Sequence, residues 1–193
     1  MWQDFLFYFA EGWHHIIHPG ALDHILFLAV LTVVHAPADW KRLVVLVTAF
    51  TAGHALTLVL SVTDIIRFPE VWVEFLIPCT IAATAGANLL RGLPALGGVG
   101  LRYAMALVFG LVHGMGYANA VRFTLAGDQS LALGLAAFNA GLEIGQISVV
   151  LSILLLGYLF TRLSGRSREE WQAALSSLVL AASLYMVWDR HPF

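Results

Sequence analysis

His18-Pro19-Gly20-Ala21-Leu22-Asp23-His24 runs straight into the apolar stretch 25–34, Ile-Leu-Phe-Leu-Ala-Val-Leu-Thr-Val-Val. Three side chains able to ligate a metal stand at the threshold of a hydrophobic helix. An ionised Asp near a bilayer centre costs roughly 2.5–3.5 kcal/mol on insertion scales, and a bound divalent cation offsets that cost by supplying the missing counter-charge. The plainer alternative is a helix start that caps itself and lies in the membrane interface.

Working outward, the same alternation of long apolar runs with short charged or Pro/Gly stretches fills all 193 residues, of which 60% are hydrophobic and 11% charged. A soluble domain carries about 25% charged residues. The reading is an all-α polytopic membrane bundle of about six transmembrane helices in a single domain, 1–193, with no room for a soluble domain. One cysteine, Cys79, excludes an intrachain disulfide and a cysteine-based zinc site. The start carries Asp4 and Glu11 rather than a basic region, so it is not read as a cleaved signal peptide. Trp2, Phe5, Phe9 and Trp13 recur near helical spacing and predict an interfacial helix over 1–13.

The spans are expected at about 14–35, 43–62, 71–90, 103–120, 130–160 and 171–188, with Pro19-Gly20 bending or starting the first. The fifth is longer than a bilayer needs and must tilt, kink or protrude. The stretches 91–102, rich in Gly and Pro, and 122–129, polar, are expected as connections. Loops after spans one, three and five hold Lys41, Arg42, Arg91, Arg102, Arg162, Arg166 and Arg168, against Arg67, Arg122 and Arg190 on the other side. The positive-inside rule then places both termini outside the cytoplasmic (inner) membrane, and the His18 stretch opens outward.

Polar groups recur inside these spans: His54 in FTAGHALTL (50–58), His113 in FGLVHGMGYA (109–118) and Glu143 in FNAGLEIGQ (138–146). Each is flanked by Gly or Ala, which lets neighbouring helices approach closely. Asn139, Glu143 and Gln146, spaced by four and three, share a helix face. At about 1.5 Å per residue, His54 lies roughly 16 Å from the cytoplasmic end of its span, His113 roughly 15 Å and His24 roughly 17–18 Å. Glu143 lies roughly 20 Å in from the outer end. A lone intramembrane His is commonly a hydrogen-bonded packing residue, and Glu143 taken alone could be a protonated, backbone-bonded group. Ligand-type side chains from four spans at one depth point instead to a shared metal site of Asp23, His24, His54, His113 and Glu143 within the bundle, with His14, His15 and His18 collecting the ion at the outer face. Imidazole plus carboxylate suits nickel, cobalt, zinc or iron better than magnesium or calcium, and the shortage of thiolate and thioether argues against copper(I).

These pieces, HPGALDHILF (18–27), FTAGHALTL, Glu74, FGLVHGMGYA and FNAGLEIGQ, resemble the HupE/UreJ family of hydrogenase- and urease-accessory membrane proteins, in the family's order and over about residues 14–150. The His18/Asp23-His24 spacing is also similar to the signature of nickel/cobalt transporters. The resemblance implies a nickel-permease-like protein and, by position, His18, Asp23, His24, His54, His113 and Glu143 as its metal set. His14, His15, Glu74, Asn88, Asn139 and Gln146 are supporting or uptake positions. Where the pattern has Glu-Asn-Leu near the end of the third span, this chain has Ala87-Asn88-Leu89.

The expected function is a membrane permease for a divalent transition metal, nickel first, with cobalt and zinc as alternatives. The partners are the metal ion and the lipid bilayer, with a homo-oligomer left open and no nucleic-acid patch. The rivals are an intramembrane metal-dependent hydrolase using Glu143 as general base and a non-transporting metal-binding accessory protein. The His-Glu-x-x-His helix that would favour the hydrolase is absent, and a transporter is favoured over an enzyme.

Overall fold

The computed structural model describes residues 1–90, 99–125 and 131–193. Among them every regular element is helical: α1 (Trp2–Ile17), α2 (Leu22–Thr32), α3 (Trp40–Val62), α4 (Glu70–Leu89), α5 (Val99–Leu125), α6 (Leu131–Ser164) and α7 (Arg168–Asp189), with short 3-10 turns at Pro19–Ala21 and Pro37–Asp39. Most of 91–102 and 122–129, read from sequence as connections, lies outside the described residues.

Local chemistry sets the boundaries. His18 precedes a proline and takes the extended backbone (φ −66°, ψ 142°) that such residues favour, so α1 stops there. The His18 Nδ1 accepts the Gly20 N–H at 3.0 Å and caps the following turn. Ahead of α3, the Ala36 N–H donates to Asp39 Oδ2 at 3.0 Å. A reciprocal capping box opens α7: Glu170 N–H donates to Ser167 Oγ at 3.1 Å and Ser167 N–H to Glu170 Oε2 at 2.8 Å. Within α4, Pro78 lacks the N–H that would reach the Glu74 carbonyl one turn back.

α3, α4, α6 and α7 are each long and apolar enough to cross a bilayer, and α1 with α2 makes a fifth crossing if that pair, bent by 69°, counts as one. α5 adds the apolar helix Tyr103–Gly116. The chain is an integral membrane helix bundle. The segment expected as an interfacial helix over 1–13 is here part of α1, which continues to Ile17 and packs along α6 with Tyr8, Gly12 and Ile16 buried.

Three helix pairs build the bundle, α3 with α5, α1 with α6 and α4 with α7, and α2 sits against α4, α6 and α7. Lipid tails are as apolar as leucine, so helices in a membrane associate through close packing and interhelical hydrogen bonds. Two of the pairs use the same device. A Cβ on Gly12 would lie 2.0 Å from the Phe138 carbonyl oxygen, and one on Gly141 2.0 Å from that of Phe9. On the other pair, a Cβ on Gly53 would lie 2.2 Å from the Leu107 oxygen, and one on Gly110 2.1 Å from that of Phe50. Each crossing is therefore backbone against backbone, with glycine required on both sides. Phe27, Phe50, Phe138 and Leu142 fill the core between them, all at most 2% exposed. Interhelical hydrogen bonds tie the rest: Thr51 to Gln146 Oε1 at 2.8 Å, Asn88 Nδ2 to the Val30 carbonyl at 2.8 Å and Gln172 Nε2 to the Asn88 carbonyl at 3.2 Å.

Candidate metal centre

The glycine crossings decide where the histidines meet. Gly53 precedes His54 directly, and Gly12 and Gly110 stand three residues, just under one helical turn, before His15 and His113. A side chain so near a point of backbone contact is directed among the helices: His54 and His113 are buried and His15 is half-buried.

His15 of α1, His24 of α2 and His54 of α3 each offer one ligand nitrogen, and these nitrogens lie within 4.8 Å of one another. Their ring centroids are 4.7 Å apart for His15–His24, 5.6 Å for His15–His54 and 5.9 Å for His24–His54. His113 of α5 stands beside them, 5.3 Å from His24 centre to centre, although outside that tight group. Its Nδ1 is 2.8 Å from the Phe109 carbonyl oxygen. A carbonyl can only accept, so Nδ1 carries the proton and Nε2 is left with a lone pair. Among the described residues that Nε2 has no hydrogen-bond partner, and the same holds for His24 Nε2 and for both ring nitrogens of His54. A buried polar atom left unpaired costs about 1–3 kcal/mol. Several such atoms converging on one point are what a site for a cationic guest looks like.

Apolar rings close one side. Phe27 and Phe50 stack at 5.0 Å, and each lies close to His113, at 5.3 and 5.1 Å. On the opposite side a cavity of about 420 Å³ opens toward the His18 end of the bundle, lined by Glu11, His14, His15, His18, Asp23, His24, Glu74, His113 and Arg190 among others. Three carboxylates and five imidazoles face one guanidinium there. That guanidinium is engaged: Arg190 Nη1 donates to Asp23 Oδ2 at 3.0 Å, joining the end of α7 to the start of α2, while Asp23 Oδ1 is buried with no hydrogen-bond partner among the described residues.

The residues singled out from sequence fall into three places. His24, His54 and His113 come together. Asp23, His14, His18 and Glu74 line the mouth, where His18 already spends Nδ1 on its own turn. Glu143, Asn139 and Gln146 lie elsewhere on α6: Glu143 Oε1 accepts from Thr48 at 2.6 Å, Gln146 accepts from Thr51, and Asn139 Nδ2 donates back to the Leu135 carbonyl at 2.7 Å. None of the three lines the cavity. Asn88 serves as the tie between α4, α2 and α7. His15, read from sequence as an uptake position, is at the centre of the cluster. The signal for it was present: Phe9-x-x-Gly12-x-x-His15 has the glycine-to-histidine spacing of Gly110-x-x-His113. Arg190 had no signal of its own, since its partner is 167 residues away.

The donor set fits a divalent transition metal: imidazole nitrogens from several helices beside a cavity lined by carboxylates. Metal–nitrogen bonds of about 2.0–2.1 Å in tetrahedral geometry place nitrogens roughly 3.3 Å apart. Side-chain rotation closing the trio from at most 4.8 Å would meet that.

No curated protein and no solved structure matches this chain at a significant level. The family model for HupE / UreJ protein matches residues 1–190, and the chain belongs to that family.

Proposed function

We propose that the protein is a membrane permease for a divalent transition metal, nickel first with cobalt and zinc as alternatives, and that His15, His24 and His54 hold the ion on its way through. Family membership implies a nickel- or cobalt-related membrane accessory or transport function. The observation that carries the finer reading is the trio of histidines from three different helices, with nitrogens within 4.8 Å, two of which, His15 and His24, line a cavity that also holds Glu11, Asp23 and Glu74.

Each group has a part in that reading. Glu11, Asp23 and Glu74 concentrate cations at the mouth and help cancel their charge. The imidazoles replace the water shell. The unpartnered Nε2 of His113 is the next station inward from His24. Phe27 and Phe50 form the barrier beyond it, so the ion leaves only when their packing opens; binding without release would not be transport. The hydrolase alternative needs a general base beside the metal. Glu143 instead takes the hydroxyl of Thr48 and does not line the cavity, which removes support from that reading.

The test is metal uptake into proteoliposomes carrying an internal metal-sensing dye, paired with metal titration of the detergent-solubilised protein. Wild type should bind and take up nickel, His24→Ala should do neither, and His113→Ala should bind with reduced uptake. Binding with no uptake in wild type would leave a metal-binding accessory protein and end the permease reading. Absence of binding would end both.

A further inference from the structure

A second cavity, of about 270 Å³, lies at the other end of α2. It exists because α2 ends at Thr32 while α6 runs on to Ser164 and α7 starts at Arg168 alongside it. Its polar lining comprises Thr32, His35, Tyr158, Thr161, Arg166 and Arg168, with the Trp171 indole at the wall and no Asp or Glu among the lining residues. The contrast with the metal cavity is one of charge: there carboxylates and imidazoles, here two guanidiniums and neutral donors.

Three features show a shaped site rather than a gap. Thr32 is 0% exposed, and its hydroxyl has no hydrogen-bond partner among the described residues. The Trp171 ring is seated on Gly157, where a Cβ would come within 2.7 Å of the indole nitrogen, and it packs on Phe160 at 5.2 Å. That contact holds a donor-only N–H at the wall. Arg166 is steadied by Glu170 at 3.0 Å. The remaining lining, Val33, Pro37, Ile153 and Leu154, is apolar, and Ile153 and Leu154 carry it along α6.

We propose that this cavity binds the phosphate headgroup of an anionic phospholipid, with an acyl chain lying along α6. Guanidiniums and hydroxyls are the donors that suit phosphate oxygens, Trp and Tyr belong at headgroup level, and the apolar strip continues into the hydrocarbon layer. The Lys/Arg distribution places this end at the cytoplasmic leaflet, where anionic lipids and basic pockets between helices meet. Inorganic phosphate offers the same oxygens without the chain, so the apolar lining is what selects the lipid. The inference is independent of the metal reading.

The test uses the full-length protein purified in detergent, titrated with dioleoyl phosphatidylglycerol, dioleoyl phosphatidylcholine or inorganic phosphate. Retained lipid is counted by native mass spectrometry, and thermal stability is followed in parallel. Phosphatidylglycerol should bind about tenfold more tightly than phosphatidylcholine, the scale of one charge-assisted contact. Arg166→Gln combined with Arg168→Gln should abolish that preference, and Thr32→Val should weaken it. Arg162→Gln removes a positive charge from an exposed position on α6 that does not line the cavity, and should leave the preference intact. If the double variant does not fold, Arg168→Gln alone carries the comparison. Equal binding of the two lipids, equal damage from Arg162→Gln, or stabilisation by inorganic phosphate matching that of phosphatidylglycerol would each overturn the proposal.

Discussion

Gly53→Ala adds one methyl group, touches no ligand atom, and is expected to cost the protein both stability and metal affinity. The new Cβ would sit 2.2 Å from the Leu107 carbonyl oxygen and 2.9 Å from the Leu111 nitrogen. Both obstacles are backbone, so no side chain can rotate aside. Restoring even a tight 3.0 Å contact to the oxygen means moving α3 from α5 by about 0.8 Å. Overpacking of this kind costs about 1–3 kcal/mol, against which alanine returns about 0.5–1 kcal/mol of helix preference. The net expectation is about 1–2 kcal/mol lost. His54, the next residue, moves with α3, and a shift of that size exceeds the roughly 0.2 Å tolerance of metal–ligand distances. Affinity should fall by about 10- to 100-fold, as when the groups that orient metal ligands are altered. Gly86→Ala is the control: it lies within α4 with nothing within 4 Å of its Cβ, so it should be neutral or mildly stabilising. Nickel titration and thermal unfolding of the two purified variants decide the matter. A Gly53→Ala protein that binds nickel within twofold of wild type and unfolds at the same temperature would refute the claim that this glycine crossing positions the site.

Three other outcomes follow from the same geometry. His54→Leu should abolish metal-dependent stabilisation, yet raise the stability of the metal-free protein by about 1–3 kcal/mol, because it removes two buried nitrogens that have no partner among the described residues; a metal-free variant less stable than wild type in thermal unfolding would contradict this. Arg190→Gln should tighten metal binding by about two- to fivefold, the scale of a partly exposed ion pair, because the cation no longer competes with a guanidinium for Asp23; titration showing weaker binding would reverse the assignment. Imidazoles ligate only when neutral, and a free imidazole protonates below about pH 6.5. Metal retention should therefore be full above neutrality and lost as pH falls through about 6 to 5, whereas a carboxylate site would hold its ion to about pH 4. Flat retention down to pH 4 in the purified protein would exclude a histidine-dominated site.

The membrane bundle was legible in the sequence because its cause is local. Apolar runs long enough to cross a bilayer leave no other way to satisfy the backbone. The break at Pro19-Gly20 was legible because a proline marks it, although the span was read as beginning at His14 while α1 runs on to Ile17. Counting residues along each helix, at a fixed rise per residue, puts His24, His54 and His113 at similar heights, and these three come together. Depth is one coordinate only. Which way a side chain points around its helix, and which helix it meets, depend on how the helices cross.

That is why Glu143, given a similar depth by residue counting, is bonded to Thr48 outside the cluster, while His15, read as part of the approach, lies within it. It is also why the packing of α1 along α6 could not be read ahead: Gly12 and Gly141 are each featureless in sequence and become a contact only when facing one another. By itself the sequence determined a helical membrane protein carrying a stock of imidazoles at one level. The tertiary structure alone decided that His15, His24 and His54 share a centre and that Arg190 holds Asp23 at its mouth. Close backbone approach between distant segments is a property of pairs, and no single stretch of chain encodes it.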